Sequence, residues 1–293
     1  MPETETLQAE GRAAPGAPIF ANILCAISGN EGGFAAVEHA AALAGPQGHL
    51  TFLMVTSFRS GGAHRGAAIG PARGAEILQR AEGIAREAGV PHTSEVDPGT
   101  PPARVILDWS AGYDLLAIGA PASSWPAKLL SVGVGDKALG GFSTALLVGR
   151  RLAGGRRFGD RIVVASDGLE ASRGLIRLAS GLARVPGSSV RLVHALGREL
   201  PIKRSRAPEQ ESALQEQEQM LARSWPSGST ELVVKSGRAG PVIVSAATAA
   251  DASLVAMGSR RLEGLRAMGS VSRRVVHQAH CSVLLVPPET LAR

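Results

Sequence analysis

The chain alternates short apolar runs with longer segments in which apolar residues recur every three or four positions. The first pattern is typical of buried strands and the second of amphipathic helices. In the N-terminal half these patterns predict strands at 22–27, 50–55, 92–96, 114–118 and 144–148, and helices at 31–44, 74–88 and 101–111. In the C-terminal half they predict strands near 161–166, 190–195, 231–235, 253–257 and 282–286. Strands that alternate with helices in this way indicate an α/β fold, with a parallel sheet covered by helices on both faces.

The two halves of the chain repeat one pattern at a constant offset. The segment ILCAISGNEGG from Ile23 aligns with IVVASDGLEAS from Ile162, and this register places Ser28 opposite Asp167. Far downstream Gly119 aligns with Gly258, again 139 positions apart (167 − 28 and 258 − 119). Because the offset does not drift, we interpret the chain as a tandem duplication with units of about 140 residues, an ordinary domain size.

This duplication predicts the organisation of the chain. Two stretches after the second strand of each unit, Arg59 to Arg73 and Gly197 to Glu209, are rich in Gly, Pro and charge, and we expect mobile surface loops there. The linker is GRRLAGGRRFG, from Gly149 to Gly159. The expected divisions are a disordered tail at 1–18, a first half at 19–150 and a second half at 159–288.

Composition narrows the class of protein. The chain has 293 residues, 44% of them hydrophobic, which is enough for two cores, and no apolar run is long enough to span a membrane. Since the N-terminus is acidic and polar, we expect a soluble cytoplasmic protein without a membrane partner. The net charge of +6 comes with only 3% aromatic residues, so nucleic acid is not the favoured partner. Cys25 and Cys281 lie in or beside apolar runs, which favours core positions over a disulfide framework.

The segment GSRRLEGLRAMGSVSRRVVHQAHCSVLLV, from Gly258 to Val286, contains the most informative motif. It runs from a strand end through a Gly/Ser-punctuated loop into a helix and a final strand. Glycines there let backbone N–H groups face a phosphate at a helix N-terminus. Glycine is equally common where a strand turns tightly into a helix, and Ser at a helix start is often only an N-cap. Both interpretations stay open for these positions.

These motifs resemble the universal stress protein family, and the whole chain resembles its tandem, two-domain form. The resemblance rests on VVASDGLEAS, SLVAMGS and GSVSRRVVHQAHCSVLLV in the second half, returns more weakly in the first, and extends from about Ile19 to Pro288. It implies two doubly wound domains, each a five-stranded parallel sheet in the order 3-2-1-4-5 flanked by helices. It also implies pairing through the last strands, STALLVG and CSVLLVP, either within the chain as a pseudo-dimer or between two chains as a homodimer.

The resemblance further implies a nucleotide site. ATP-binding members use the aspartate after strand 1 near the adenosine and a Gly-x2-Gly-x9-Gly-Ser/Thr loop for the phosphates. In the second half Arg261 replaces the second glycine, and the interval from Gly258 to Gly269 is 11 where the pattern has 13, so the loop is two residues short. The candidate residues for binding ATP are Asp167, Met257, Gly258, Gly269, Ser270, Val271 and Ser272.

The first half departs further from the pattern. Ser28 stands in place of the aspartate, Ala122 in place of the second glycine, and Val132 and Gly133 in place of the Gly-Ser pair. We therefore expect at most one adenine nucleotide per chain, bound in the second half.

Alternatives to this site remain open at the level of sequence. Asp167 is either an adenosine ligand or a turn and capping residue before the following helix. His277, His280 and Cys281 form a possible metal cluster, but we expect the histidines only to end a helix, and we name no metal ligand and no catalytic residue. Three functions are compatible with the chain: a nucleotide-responsive stress protein that acts through an unidentified protein partner, an interaction module that no longer binds nucleotide, and a slow ATPase.

Overall fold

The computed structural model describes residues 18–56, 70–99, 102–120, 144–169, 172–182, 187–197, 207–225, 228–258 and 270–287. In the first half it contains β1 (Asn22–Ala26), α1 (Glu31–Ala44), β2 (His49–Val55), α2 (Pro71–Glu87), β3 (His92–Asp97), α3 (Pro102–Ser110), β4 (Leu115–Gly119) and β5 (Ala145–Gly149). In the second half it contains β6 (Arg161–Ala165), α4 (Ser172–Ser180), β7 (Ser189–Leu196), α5 (Ala207–Ser224), β8 (Ser229–Ser236), α6 (Ala239–Ala249), β9 (Leu254–Gly258), α7 (Ser270–Gln278) and β10 (Ser282–Val286).

All ten strands form one sheet in the order β3-β2-β1-β4-β5-β10-β9-β6-β7-β8. Each half therefore has the order 3-2-1-4-5, and its strands pair in parallel. The halves meet where β5 and β10 pair antiparallel, with Leu147 opposite Leu284 and Val148 opposite Val283. This confirms the predicted strand order, and of the two predicted ways of pairing the last strands the structure has the one within the chain.

Helices cover both faces of the sheet, because successive strand residues point to opposite sides. On one face the strand residues Ile23 and Cys25 pack with residues of α1, α2, α4 and α5. On the other face Leu24 and Ala26 pack with residues of α3, α6 and α7. Both β5 and β10 are buried along their whole length, so the antiparallel join lies in the middle of this core.

Two helices begin earlier than the sequence pattern predicts. The α2 helix starts at Pro71, three residues before the predicted start, because proline fits the first turn of a helix and Gly70 is extended (φ −67°, ψ 159°) as its N-cap. The α5 helix starts at Ala207, so Glu209 is helical instead of part of a loop. Residues 59–69 and 198–206 of the predicted loops, residues 1–17 of the predicted tail and residues 121–143 between β4 and β5 lie outside the described residues.

The halves are also joined by a buried polar contact that runs from α1 to β10. The Ser282 hydroxyl lies 3.0 Å from His39 Nδ1 and accepts the Arg150 backbone N–H at 3.0 Å. The His39 ring stacks on Phe158 of the linker, with the ring centres 4.3 Å apart. Burial lowers the pKa of His39 to about 4, so this imidazole is neutral at physiological pH.

Both cysteines are buried and unpaired, as the sequence predicts. Burial raises the pKa of the Cys281 thiol to about 11, and it raises the pKa of Cys25 further still. Neither thiol is therefore a ready nucleophile. Within the described ranges, none of the helices combines the length and the apolar character that a membrane crossing requires.

Candidate functional site

The strand order reverses direction around β6, whose neighbours are β7 on one side and β9 on the other. In open α/β sheets such a point leaves a crevice at the carboxyl ends of the two strands. Ala165 pairs with Met257, so the turn that carries Asp167 and the exposed Gly258 follow adjacent strands at the same edge. The structure thus brings together three of the predicted site residues, with Met257 itself buried at the end of β9.

Asp167 also organises its own turn. Its Oδ1 accepts the Leu169 backbone N–H at 3.1 Å and the Ser172 hydroxyl at 2.7 Å, the latter from the first residue of α4. Gly168 next to it has φ +70°, a conformation that favours glycine. The turn and capping role, one of the two interpretations of Asp167, is therefore present in the structure, and it holds the partly buried carboxyl group at the crevice.

Two glutamines of α5 hold this turn from outside the sheet. Gln210 Nε2 donates to the carbonyl oxygen of Asp167 at 2.6 Å, and Gln217 Nε2 donates to that of Leu169 at 3.3 Å. Gln217 Oε1 also accepts the Ser166 hydroxyl at 2.6 Å, and both of these side chains are buried. The turn is thus fixed by hydrogen bonds across 43 to 51 positions of sequence.

Sequence reasoning missed this glutamine pair. The available signal was the spacing of Gln210 and Gln217, which are two helical turns apart on the face of α5 that also carries the buried Leu214. His194 adds a further contact that the sequence did not indicate, because its Nδ1 lies 2.9 Å from the Ser166 carbonyl oxygen.

The predicted phosphate end of the site lies at the start of α7. This helix begins at Ser270, so the backbone N–H groups of its first turn have no partner inside the helix and carry its positive end. Val271 is partly exposed there, and the Ser272 side chain is buried. Gly269 and Arg261 lie outside the described residues, as does the rest of the loop from 259 to 269, so the effect of its short length stays a prediction.

The equivalent crevice of the first half is filled by protein. A Cβ atom added to Gly119 would lie 2.5 Å from the carbonyl carbon of Gly32, and one added to Gly32 would lie 2.6 Å from the Ala120 carbonyl oxygen. The first turn of α1 therefore packs directly on the end of β4, and Gly119 is required for that close approach. At Gly258, by contrast, no atom of the described residues lies within 4 Å of an added Cβ.

The turn after β1 differs in chemistry from its counterpart after β6. Gly29 has φ +75°, close to the value at Gly168, so the backbone of the repeat is preserved. The α1 helix is capped by Asn30, whose Oδ1 accepts the Gly33 N–H at 2.6 Å. Ser28 is exposed at the position of Asp167. The other departures in this half, Ala122, Val132 and Gly133, lie outside the described residues.

The remaining candidates of the sequence can also be located. His277 lies in the last turn of α7, and His280 is exposed after the end of that helix, where β10 is about to begin. Among the residues that the structure describes, there is no group of three His, Cys, Asp or Glu side chains able to hold a metal ion.

Comparison with known proteins gives a consistent result. A family model described as "Universal stress protein family" matches residues 20–150 and again residues 159–287. A solved universal stress protein from Archaeoglobus fulgidus aligns with a TM-score of 0.64 and 18% identity, over 92% of this chain and 97% of that one. A putative universal stress protein from Pseudomonas aeruginosa aligns with a TM-score of 0.63 and 18% identity, over 93% and 95% of the two chains. At these identities the structural matches show the fold alone. Among curated proteins no match was found.

Proposed function

The chain belongs to the universal stress protein family, and from this premise we propose that it is a stress-response protein that binds one adenine nucleotide, ATP, in the crevice of its second half. In this proposal the nucleotide changes the second half, and a protein partner responds to that change. The first half contributes no nucleotide site and serves to pair with the second through β5 and β10.

The observation that carries the proposal is the difference between the two crevices. At the end of β4 the backbone of α1 occupies the space, whereas the equivalent Gly258 at the end of β9 is exposed and has no atom of the described residues within 4 Å of an added Cβ. Among the described residues, a ligand therefore has more room at the carboxyl end of β9 than at that of β4, and this supports a site in the second half. The sequence motifs also favour a site in the second half. That preference rests on residues other than the two glycines that end β4 and β9.

The chemistry of the second crevice fits a nucleotide. The Asp167 carboxylate accepts hydrogen bonds and suits the amino or hydroxyl groups of an adenosine. The turn that Gln210 and Gln217 hold keeps this carboxylate in place before a ligand arrives. The N-terminus of α7, from Ser270 onward, offers backbone N–H groups and about half a positive charge to the phosphates. Each end of an adenine nucleotide thus has a complementary group at the same edge of the sheet.

The test is calorimetric titration of the protein with ATP and with adenosine. We expect one site per chain. Asp167→Asn keeps an oxygen for the turn but removes the charge, and it should weaken both ligands by about tenfold, the typical worth of one hydrogen bond to a charged group. Ser270→Leu should weaken ATP more than adenosine, because it obstructs only the phosphate end.

The first half provides matched controls. Ser28→Ala and Gly133→Leu change the positions that correspond to Asp167 and Ser270 in the family's nucleotide motif, and both should leave the titration unchanged. Two sites per chain, or a single site removed by the first-half variants, contradicts the assignment.

A nucleotide-independent interaction module is the second candidate. It is favoured by Arg261, because arginine adopts a positive φ less readily than the glycine of the motif. It is also favoured by the two-residue shortening of the loop, which reduces the number of backbone amides that reach the phosphates. Purification without retained nucleotide, together with the absence of heat on titration with ATP and adenosine, would select this function. A slow ATPase is the third candidate. It requires that the protein hydrolyse ATP and that Asp167→Asn abolish this hydrolysis.

A further inference from the structure

The linker between the halves forms one wall of a cavity near the start of α1, separate from the crevice of the second half. The cavity has a volume of about 470 Å³ and is bounded by one face of α1, by α2 and by residues 151–158. It is lined by four arginines, three of them from the linker motif GRRLAGGRRFG: Arg80, Arg151, Arg156 and Arg157. We call it the linker cavity. The proposed nucleotide site makes no use of it.

One carboxylate in the linker cavity stands between two of the guanidinium groups. Glu31 Oε1 accepts from Arg80 Nη1 at 3.2 Å, and Glu31 Oε2 accepts from Arg151 Nη1 at 3.4 Å. Charge-assisted N–H···O bonds are usually 2.7–2.9 Å long, so both contacts are long for their type. All three side chains are more than half exposed, so Glu31 is held loosely in this position.

The charges in the linker cavity are not balanced around Glu31. Arg156 is paired with Asp251 at 2.8 Å, and Arg157 is paired with Asp160 at 3.5 Å. Arg80 and Arg151 share the single negative charge of Glu31. The other carboxylate of the lining, Glu38, is exposed two turns further along α1. A dianion placed between Arg80 and Arg151 therefore matches their two positive charges better than one carboxylate does.

The floor of the linker cavity fixes one of these arginines. The guanidinium of Arg80 lies 3.8 Å from the centre of the Phe34 ring, and Phe34 is 4% exposed. Beside it the stacked rings of His39 and Phe158 close the cavity. Because this cation–π contact orients Arg80 in the unliganded protein, less conformational entropy is lost when it binds an anion.

We propose that the linker cavity binds a small phosphorylated anion, whose phosphate replaces the Glu31 carboxylate between Arg80 and Arg151. Guanidinium groups suit phosphate because their N–H groups donate in parallel to two oxygens. Phosphate carries up to two negative charges, whereas the carboxylate that it displaces carries one. This site is additional to the crevice of the second half and does not depend on nucleotide binding there.

Calorimetric titration with inorganic pyrophosphate at low ionic strength tests the proposal. Arg151→Ala removes a guanidinium that is 76% exposed, so folding should be unaffected, and affinity should fall about tenfold, as expected for one charge-assisted contact. Glu31→Gln removes the competing charge and should raise the affinity severalfold. The matched control is Arg73→Ala, which breaks an exposed ion pair with Glu76 elsewhere on α2 and should change nothing.

The sign of the Glu31→Gln effect separates a binding site from a structural ion pair. A merely structural pair predicts no rise in affinity, and that result overturns the proposal, as does the absence of any pyrophosphate binding. Pyrophosphate binding that responds to Ser270→Leu instead of Arg151→Ala belongs to the crevice and also overturns it. Adenosine carries no phosphate and should bind the native protein and Arg151→Ala equally. Titration with adenosine therefore tests the crevice alone, and titration of Arg151→Ala with pyrophosphate tests the linker cavity.

Discussion

His39 is a neutral imidazole buried at the junction of the two halves, between Ser282 and Phe158. Its pKa in the folded protein is about 4, against about 6.5 in an unfolded chain, because burial disfavours the charged form. Between these two pH values the unfolded state binds a proton that the folded state does not. The contribution of His39 to stability is therefore present above pH 6.5 and declines as the pH falls toward 4.

We predict that lowering the pH from 7 to 5 reduces the free energy of unfolding by about 2 kcal/mol through this residue. His39→Leu removes the titrating group and should flatten that part of the pH profile, whereas His280→Leu, an exposed control, should keep the native slope. Urea denaturation of the three proteins at both pH values measures the effect. Equal slopes for the native protein and His39→Leu contradict the assignment.

Gly119 and Gly258 occupy equivalent positions in the repeat but different surroundings. Gly119→Ala places a methyl group against the backbone of α1 and should cost about 2–4 kcal/mol of stability, since backbone cannot move aside as a flexible side chain does. Gly258→Ala meets no atom of the described residues and should change stability by less than about 0.5 kcal/mol. Thermal unfolding of the two variants checks the difference. Comparable losses at both positions would mean that the crevices are equally filled.

At the scale of elements, the turn after β6 depends on α5 for its shape. Gln217→Ala leaves the buried Ser166 hydroxyl without an acceptor for its proton and removes a donor from the Leu169 carbonyl oxygen, so it should cost about 1–3 kcal/mol, the usual cost of an unsatisfied buried polar group. Gln219→Ala, on the exposed side of the same helix, is the control and should be nearly neutral. Denaturant titrations measure both variants. If Gln217→Ala leaves the free energy of unfolding unchanged, the contacts of Gln217 do not hold the turn.

Elements with a strong local pattern could be predicted from sequence, as helix 31–44 and strand 282–286 show, because both were placed at the bounds that the structure has. The sequence pattern predicts the start of α2 too late, because the Gly/Pro/Arg-rich stretch before it is typical of a loop, although Pro71 suits a first helical turn. Local patterns of this kind depend on neighbours within a few positions, so sequence alone carries them.

The candidate site could be predicted only where it follows strand ends. Asp167 and Gly258 were placed correctly on adjacent strands, because parallel topology fixes which ends meet. The filling of the first crevice could not be predicted, since it depends on how closely α1 approaches β4. The contacts of Gln210 and Gln217 with the turn after β6 could not be predicted either. Their partners are 43 or more positions away, and no local pattern indicates such contacts.

At the scale of the whole molecule, the antiparallel pairing of β5 and β10 holds the two halves together. Leu147 is fully buried opposite Leu284, so Leu147→Asp would place a charge in the middle of the continuous core and should cause unfolding and aggregation. Leu196→Asp makes the same chemical change at a position that is 46% exposed, and it should remain folded. Light scattering and circular dichroism distinguish the outcomes. A folded, unaggregated Leu147→Asp variant argues against the role of this pairing.

The antiparallel join also determines how freely the two copies can diverge. Because β5 and β10 run in opposite directions, the carboxyl ends of the first five strands and of the last five open on opposite edges of the sheet. A substitution at one of these edges therefore makes no direct contact with the other. The two halves constrain each other at the join, where Leu147 lies opposite Leu284, and at the contact between His39 and Ser282. A change in the chemistry of one crevice thus leaves the shared core, and with it the fold of both halves, intact.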